Sequence, residues 1–279
     1  MEVNAKILAK NSILDFLRAR LIRNYIKRIP ILGHVARAIY SRVKGPNLSD
    51  PSYWIPRILP SHEGIAVQIG SNDGVTGDPI HDFLKCKKGW SAVFVEPLPS
   101  LFERLKDSYS GEERFSFENT VINSDRSEVV FYWVSGEARS ALPNLPVWYE
   151  QMGGFNRNHI TKHIPELEPF IRSSILPGIT LADLFERHRL KNIDLLHIDT
   201  EGCDFMILSQ LDLKKYHPRV ILYERVHLSQ NEEKGAILFL QGGYALYNLG
   251  ADTLAVSKKT SMVVQAALKP LRRFRVPDL

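Results

Sequence analysis

The chain has 279 residues, of which 44% are hydrophobic and only two are cysteines, and its net charge is +5. This composition predicts one large α/β domain with an appendage and excludes a fibrous or disordered protein. Cys86 and Cys203 form no CxxC pair, and neither a membrane-length apolar run nor a signal peptide is recognisable, so we expect a cytoplasmic protein without a disulfide framework.

The positive charge is concentrated near the N-terminus. Residues 1–44 hold ten Lys or Arg against two acidic residues, whereas the remainder holds 26 basic and 29 acidic residues. The larger part of the chain therefore has no basic surplus with which to follow a phosphate backbone. Nucleic acid is disfavoured as a partner.

Residues 1–46 are predicted to form a basic amphipathic helical extension. Leu14, Leu17 and Leu21 share one face of a helix over residues 5–29, and basic side chains project from the opposite face. Two interpretations remain open. The helix packs on the main domain or in a homodimer, or it makes a peripheral contact with an anionic membrane surface, which would make the protein membrane-associated.

Residues 47–265 alternate strand-like and helix-like runs, which predicts a mostly parallel sheet with helices on both faces. Central strands are predicted at 65–69, 92–95, 193–198 and 220–223, and helices at 79–87, 98–109, 203–211 and 231–241, with a further helix opened by Thr180 and Asp183 as a capping box. A hairpin over 244–256 would add an antiparallel last strand. Residues 136–175 are predicted to be a substrate-side insertion, and 266–279 a basic C-terminal tail.

A glycine-bearing loop follows the first strand, with Gly70, Asn72 and Gly74 just before a helix. Such a loop lets the backbone approach a nucleotide at the carboxyl end of the sheet. Glu96 ends the next strand, where an acid can accept hydrogen bonds from ribose hydroxyls, although it could instead be a turn carboxylate at a helix start. Asn72 breaks the GxGxxG pattern, so a nicotinamide cofactor is disfavoured.

Six motifs occur in the order typical of FkbM-like methyltransferases, and over residues 60–258 the chain resembles that family. They are QIGSNDGVTGD (68–78), FVEP (94–97), VIN (121–123), LLHIDTEGCD (195–204), YERVHLS (223–229) and DTLA (252–255). The resemblance implies a Rossmann-like class I methyltransferase fold and S-adenosyl-L-methionine as the cofactor.

The resemblance also implies which residues bind that cofactor. The loop would hold its methionine part, Glu96 the ribose, and the VIN segment the adenine. The expected cofactor-binding residues are Gln68, Gly70, Asn72, Asp73, Gly74, Glu96, Val121, Ile122, Asn123 and Asp199. Many class I methyltransferases have an acid where this chain has Gln68, whose amide cannot supply a counter-charge.

Acidic residues end the two later central strands, at the edge where substrates bind. Asp199 and Glu201 share a face if the backbone stays extended, and they could instead cap the helix near Cys203. Glu224 and His227 follow the next strand. We predict His227 as the general base, with Asp199, Glu201 and Glu224 as further catalytic residues, because imidazole titrates near neutral pH. A structural role for His227 is the alternative.

Three other polar features leave their roles open. Basic residues of the insertion could bind hydroxyl or acidic groups of the acceptor, although a solvated basic helix would explain them almost as well; they are Arg157, His159, Lys162 and His163. His197 lies inside a strand and is interpreted as a hydrogen-bonded core residue. The three carboxylates Asp199, Glu201 and Glu224 could hold Mg²⁺. We expect a metal-free reaction.

The leading functional prediction is O-methylation of a hydroxyl on a sugar, glycan or natural-product acceptor, with the acceptor class implied by the resemblance. RNA methylation is a second possibility, in which the basic N-terminal helix would be the docking arm. A third is a non-catalytic adenosine-ligand-binding protein at a membrane.

Overall fold

The computed structural model describes residues 47–59, 61–269 and 271. The boundary between the two units into which the chain divides falls between Asn47 and Leu48. The predicted N-terminal helical extension and most of the predicted C-terminal tail lie outside the described residues. Among the described residues, no helix has the length and apolar character needed to cross a membrane.

The described chain alternates strands and helices. The strands are β1 (Glu63–Ile69), β2 (Gly89–Val95), β3 (Phe115–Glu118), β4 (Val121–Ile122), β5 (Val129–Val134), β6 (Ile171–Leu176), β7 (Gly178–Ile179), β8 (Leu195–Ile198), β9 (Val220–Glu224), β10 (Tyr244–Asn248) and β11 (Asp252–Ser257). The helices are α1 (Pro51–Ile58), α2 (His81–Cys86), α3 (Pro99–Ser108), α4 (Glu137–Ala141), α5 (Arg157–His163), α6 (Leu181–Arg187), α7 (Asp204–Leu208), α8 (Gln230–Leu240) and α9 (Met262–Ala267).

Seven of these strands form one sheet in the order β10-β11-β9-β8-β1-β2-β3. The pairs from β9 through β3 are parallel, whereas β11 runs antiparallel to both β9 and β10. The predicted mostly parallel sheet with an antiparallel last strand is therefore confirmed. Because β1, β2, β8 and β9 are parallel, their carboxyl ends meet at one edge of the sheet.

Alternate residues of the central strands enter two separate cores, one on each face of the sheet. Ala66 packs with α1, α2 and α3 on one face, while the adjacent Val67 packs with α6, α7 and α8 on the other. The side-chain period of two in a strand causes this division. Strands buried on both faces are the reason why the central runs are continuously apolar.

Between β4 and β7, the chain leaves the main sheet and forms a smaller layer. Strands β5 and β6 pair antiparallel, and Tyr149, Ile160 and Leu167 form a small buried cluster with Val134 at the end of β5. The predicted insertion, 136–175, thus contains all of β6 except Leu176, but not its partner β5. Short strands β4 and β7 pair parallel at the base of this layer.

One predicted helix is much shorter than expected. The sequence predicts a helix over 203–211, whereas α7 ends at Leu208. The Ser209 hydroxyl donates to the carbonyl of Met206, a side-chain to backbone bond of the kind that competes with continued helix. By contrast, α6 begins at the predicted capping box, in which both reciprocal bonds between Thr180 and Asp183 are present.

Candidate functional site

An open cleft lies at the carboxyl edge of the sheet, above the ends of β1, β2 and β8. Phe131 of β5 and Gly153 and Phe155 of the insertion also line it. Seven of the predicted cofactor residues line the cleft, namely Gln68, Gly70, Asn72, Glu96, Val121, Ile122 and Asp199. The cleft therefore lies where open α/β sheets bind nucleotides.

The loop after β1 depends on glycine at position 70. The φ angle of Gly70 is +80°, and a Cβ atom there would lie 1.7 Å from the carbonyl oxygen of Asp199. The backbone N–H groups of Gly70 and Ser71 both donate to the carbonyl of Val95 at 3.0 Å. The first loop is consequently held close to the ends of both neighbouring strands, β2 and β8.

Glu96 contacts this loop directly. Its Oε2 accepts a 2.8 Å hydrogen bond from the N–H of Asn72, and its Oε1 accepts a 2.9 Å bond from the N–H of Leu98. Burial raises the pKa of Glu96 to about 7, against the two hydrogen bonds, which lower it. The glycine loop and the acid that ends β2 are thus joined by a hydrogen bond where both line the cleft.

Three buried polar atoms at the floor of the cleft have no hydrogen-bond partner. They are Oε1 of Gln68, Oδ2 of Asp78 and Nδ1 of His197. Burial raises the pKa of Asp78 to about 7, although hydrogen bonds from the Ile80 N–H and the Gln68 side chain lower it. Buried polar atoms are rarely left unpaired, so this floor is suited to a ligand that carries hydrogen-bond donors.

Sequence reasoning missed Asp78 and was wrong about the hydrogen bonding of His197. Asp78 lies beside Gln68, so a carboxylate is available where the sequence alone suggested that a counter-charge was lacking. An aspartate immediately before a proline and a helix, close after the glycine loop, was the available signal. His197 is buried as expected, but its Nδ1 lacks the predicted partner, and burial lowers its pKa to about 4.

Three predicted cofactor residues do not line the cleft. The Asp73 carboxylate accepts bonds from the N–H groups of Val75 and Thr76, which stabilise the loop internally. Gly74 has a φ of +73°, and a Cβ atom there would lie 2.7 Å from Leu105. Asn123 also bonds within its own turn. The described roles of all three are therefore in shaping loops.

Asp199 lines both this cleft and an adjoining cavity, which also includes Asp50 and Asp252. Burial and the neighbouring carboxylates raise the pKa of Asp199 well above its ordinary value. The expected common face with Glu201 is not present, because the strand ends at Ile198 and Glu201 has a left-handed φ of +54°. That backbone turn directs Glu201 toward the insertion.

The Glu201 carboxylate joins the two parts of the site. Its Oε2 lies 3.0 Å from Nε2 of His159 on α5 and 3.1 Å from Nε2 of His227 in the turn after β9. Burial alone would raise the pKa of Glu201, but the bonds from both imidazoles outweigh it and lower the pKa to about 2. Glu201 is therefore ionised at neutral pH and accepts both hydrogen bonds.

Glu224 and Asp204 complete the acidic rim. Oε1 of Glu224 lies 3.6 Å from Nε2 of His227, and burial together with Asp199 raises the pKa of Glu224. Asp204 was missed by sequence reasoning. Its buried carboxylate accepts bonds from the N–H groups of Thr200 and Glu224, so it ties the end of β8 to the end of β9. The capping role expected of Asp199 and Glu201 is not present, because α7 begins after Cys203 without a side-chain cap.

The two predicted acceptor residues are placed differently. Arg157 forms an ion pair with Glu168, is about half exposed and does not line the cleft. His163 lies near His159 and His227, with ring centroids 4.8 and 5.3 Å away, and burial lowers its pKa. His159, one turn earlier on α5, contacts Glu201 directly, whereas the sequence suggested only acceptor binding for it.

The parallel sheet with one antiparallel strand, the glycine loop and the acid that contacts it together define a class I S-adenosylmethionine-dependent methyltransferase. The family model described as the methyltransferase FkbM domain matches residues 68–249. The chain therefore belongs to the FkbM methyltransferase family, as its motifs predicted. It is a methyltransferase, and its cofactor is S-adenosylmethionine.

Two solved structures of methyltransferases are similar to this chain at low sequence identity. One is an O-methyltransferase from Bacillus cereus in complex with SAH, with 12% identity, 81% of this chain and 88% of that chain covered, and a TM-score of 0.42. Another is a TehB-like SAM-dependent methyltransferase from Corynebacterium glutamicum, with 10% identity, 82% and 97% covered, and a TM-score of 0.35. No curated protein matches the chain.

Proposed function

We propose that the protein methylates a hydroxyl group of a small-molecule acceptor such as a sugar, a glycan or a natural product. The observation that carries this proposal is the pairing of His227 with the ionised Glu201, because Glu201 lines the cofactor cleft and His227 is bonded to it. A hydroxyl is a poor nucleophile until its proton begins to leave, so an oriented base beside the cofactor is the feature that such a reaction requires.

The cleft fits the cofactor in its distribution of polar and apolar groups. Glu96 would hold the ribose hydroxyls, and the apolar side chains of Val121 and Ile122 would flank the adenine. The unpartnered oxygens of Gln68 and Asp78 would accept hydrogen bonds from the ammonium group of the methionine part. When bound, S-adenosylmethionine supplies a methyl group carried on a sulfonium.

His227 is suited to accept the proton of the acceptor hydroxyl. Its Nε2 faces the Glu201 carboxylate, so in the neutral imidazole Nε2 carries the hydrogen and Nδ1 is left as the proton acceptor. As the acceptor oxygen gains the methyl group, its proton would pass to Nδ1. The resulting imidazolium would be stabilised by Glu201 at 3.1 Å, and Glu201 would thus act as a positioning residue.

A small acceptor suits this arrangement better than a nucleic acid does. The cleft is bordered on its outer side by the insertion, and residues 45–279 carry three more acidic than basic residues. A phosphate backbone would therefore meet no general electrostatic attraction. The contact between His159 and Glu201, which brings α5 to the loop after β8, supports a substrate-side role for the insertion.

The test is a screen of hydroxylated acceptors with isotope-labelled S-adenosylmethionine, in which each acceptor is paired with its deoxy analogue. We expect transfer to one hydroxyl and none to its analogue, and mass spectrometry should place the methyl group on oxygen. Transfer to RNA but to no small hydroxyl compound would contradict the proposal.

The base is tested in the same assay with His227→Ala. We expect kcat to fall by about 10²–10⁴-fold, the usual contribution of a general base, while calorimetric affinity for the cofactor changes by less than about twofold. His188→Ala is the matched control, because His188 also pairs with a glutamate, Glu118, at a similar exposure, but Glu118, unlike Glu201, does not line the cleft. Full activity of His227→Ala would exclude His227 as the base.

A further inference from the structure

Three histidines and a glutamate come together where α5 meets the loops after β8 and β9. We infer that His159, His163, His227 and Glu201, which we call the histidine cluster, bind one divalent first-row transition-metal ion such as Zn²⁺ or Co²⁺. The candidate ligand atoms of the three histidines all lie within 4.8 Å of one another, and Glu201 Oε2 lies 3.0 and 3.1 Å from two of them.

These separations are close to those in a tetrahedral metal site. Ligand atoms about 2.0–2.1 Å from Zn²⁺ lie roughly 3.3 Å apart in that geometry. The distances from Glu201 to His159 and His227 already have this value, within a few tenths of an ångström. The separations among the three histidines are at most 4.8 Å and would shorten by up to roughly 1.5 Å to reach it, through rotation of the exposed His163 side chain.

The donor set selects the kind of metal. Imidazole nitrogens suit zinc, cobalt, nickel, copper and iron, whereas Mg²⁺ and Ca²⁺ prefer oxygen ligands. The sequence suggested a carboxylate site formed by Asp199, Glu201 and Glu224. In the structure, the carboxylates that approach one another around an imidazole are Glu201 and Glu224, with His227, and Asp199 is not in this group. A nitrogen-rich ion site therefore fits better than a magnesium site.

The fold brings the four ligands together from two separate layers. His159 and His163 are four residues apart and so share one face of α5 in the insertion. Glu201 and His227 come from the loops after β8 and β9, at the edge of the main sheet. A bound ion would therefore link the insertion to the loops after β8 and β9. The ring centroids of His159 and His227 lie 4.5 Å apart.

The metal and the proposed base role compete for one imidazole. A neutral imidazole has a single N–H, so coordination through Nε2 of His227 would place that hydrogen on Nδ1 and remove the proton acceptor. The ion site goes beyond the proposed function and does not depend on it, since metal binding is measured without any acceptor. The loaded protein is expected to lose the transfer activity that depends on His227.

The experiment uses the full chain after removal of any purification tag and of metal by a chelator. Titration with Co²⁺ and with Zn²⁺ is followed by calorimetry, and Co²⁺ also by its visible absorption. We expect one ion per chain, and visible bands characteristic of tetrahedral coordination. His159→Ala and His163→Ala should each weaken binding at least tenfold, and the double variant should abolish the bands. His188→Ala should bind within about twofold of the unaltered protein.

The outcomes separate the two proposals. No binding by the unaltered protein, or equal binding by the double variant that retains its thermal unfolding transition, overturns the ion site. Binding that the double variant loses supports the site. If transfer activity then appears only in the loaded protein, the ion site stands and His227 is not the base; if only the metal-free protein is active, both proposals stand.

Discussion

Cofactor affinity is expected to depend on pH through Glu96. In the free protein the pKa of this buried carboxyl is raised to about 7. Donation from the ribose hydroxyls requires the ionised form, so binding at lower pH must first remove a proton. The affinity for the ribose is therefore expected to be constant well above pH 7 and to fall as the pH decreases through 7.

The magnitude follows from one proton with that pKa. Between pH 8 and pH 6 the fraction of ionised Glu96 falls by about tenfold, so the dissociation constant should rise by about tenfold, equivalent to about 1.4 kcal/mol. Adenosine is a suitable probe because it keeps the ribose hydroxyls and lacks the α-amino group of the cofactor's methionine part. Its binding therefore does not depend on the titration of that group.

The assay is calorimetry of adenosine and of S-adenosylmethionine from pH 5.5 to 8.5. Glu96→Gln should bind both more weakly at pH 8 and should lose the pH dependence for adenosine, because the amide does not titrate. The amide also cannot accept both bonds from Asn72 and Leu98, so a thermal unfolding measurement is the control for loop integrity. A flat adenosine profile in the unaltered protein, or an unchanged slope in Glu96→Gln, would refute the assignment of Glu96 to the ribose.

Two further substitutions test the loop and the floor of the cleft. Gly70→Ala should lower the free energy of unfolding by more than about 3 kcal/mol, because it combines a left-handed backbone with a Cβ atom 1.7 Å from the Asp199 carbonyl oxygen. Gly111→Ala is the control: its φ is also +80°, a Cβ atom there has nothing within 4 Å, and it should cost only about 1–2 kcal/mol. Denaturant unfolding measures both costs, and equal values would contradict the close approach at Gly70. Asp78→Asn should weaken the binding of S-adenosylmethionine about tenfold or more, since a charge-assisted hydrogen bond contributes roughly 1.5–3 kcal/mol. The affinity for adenosine should not change. Equal losses of affinity for both ligands in calorimetry would contradict a contact between Asp78 and the methionine part.

Several elements of the fold followed from local patterns. The central strands are apolar runs bounded by polar loops, and burial on both faces enforces that pattern whatever the rest of the chain does. The start of α6 was predicted from Thr180 and Asp183, because a capping box is complete within four residues. The end of α7 was predicted wrongly, since Ser209 satisfies a backbone carbonyl in a way that hydrophobic periodicity does not reveal.

The candidate site was predictable only in part. The positions of Glu96 and the Gly70 loop at the carboxyl edge of the sheet were predictable, because each directly follows a parallel strand. The contact between Glu201 and His159 was not predicted, because it depends on the left-handed backbone at Glu201 and on the position of α5 in the insertion. The sequence offered His159 only as one of several basic residues on a helix, with no indication of which it would contact.

The sequence by itself determined the family, the alternation of strands and helices and the antiparallel last strand, because these depend on short motifs and on the repeating burial of strands. Only the tertiary structure decided that Asp78 lies beside Gln68 and that two histidines of the insertion meet Glu201 and His227. Contacts between segments far apart in the chain depend on packing and loop conformation. A single local sequence pattern does not encode those.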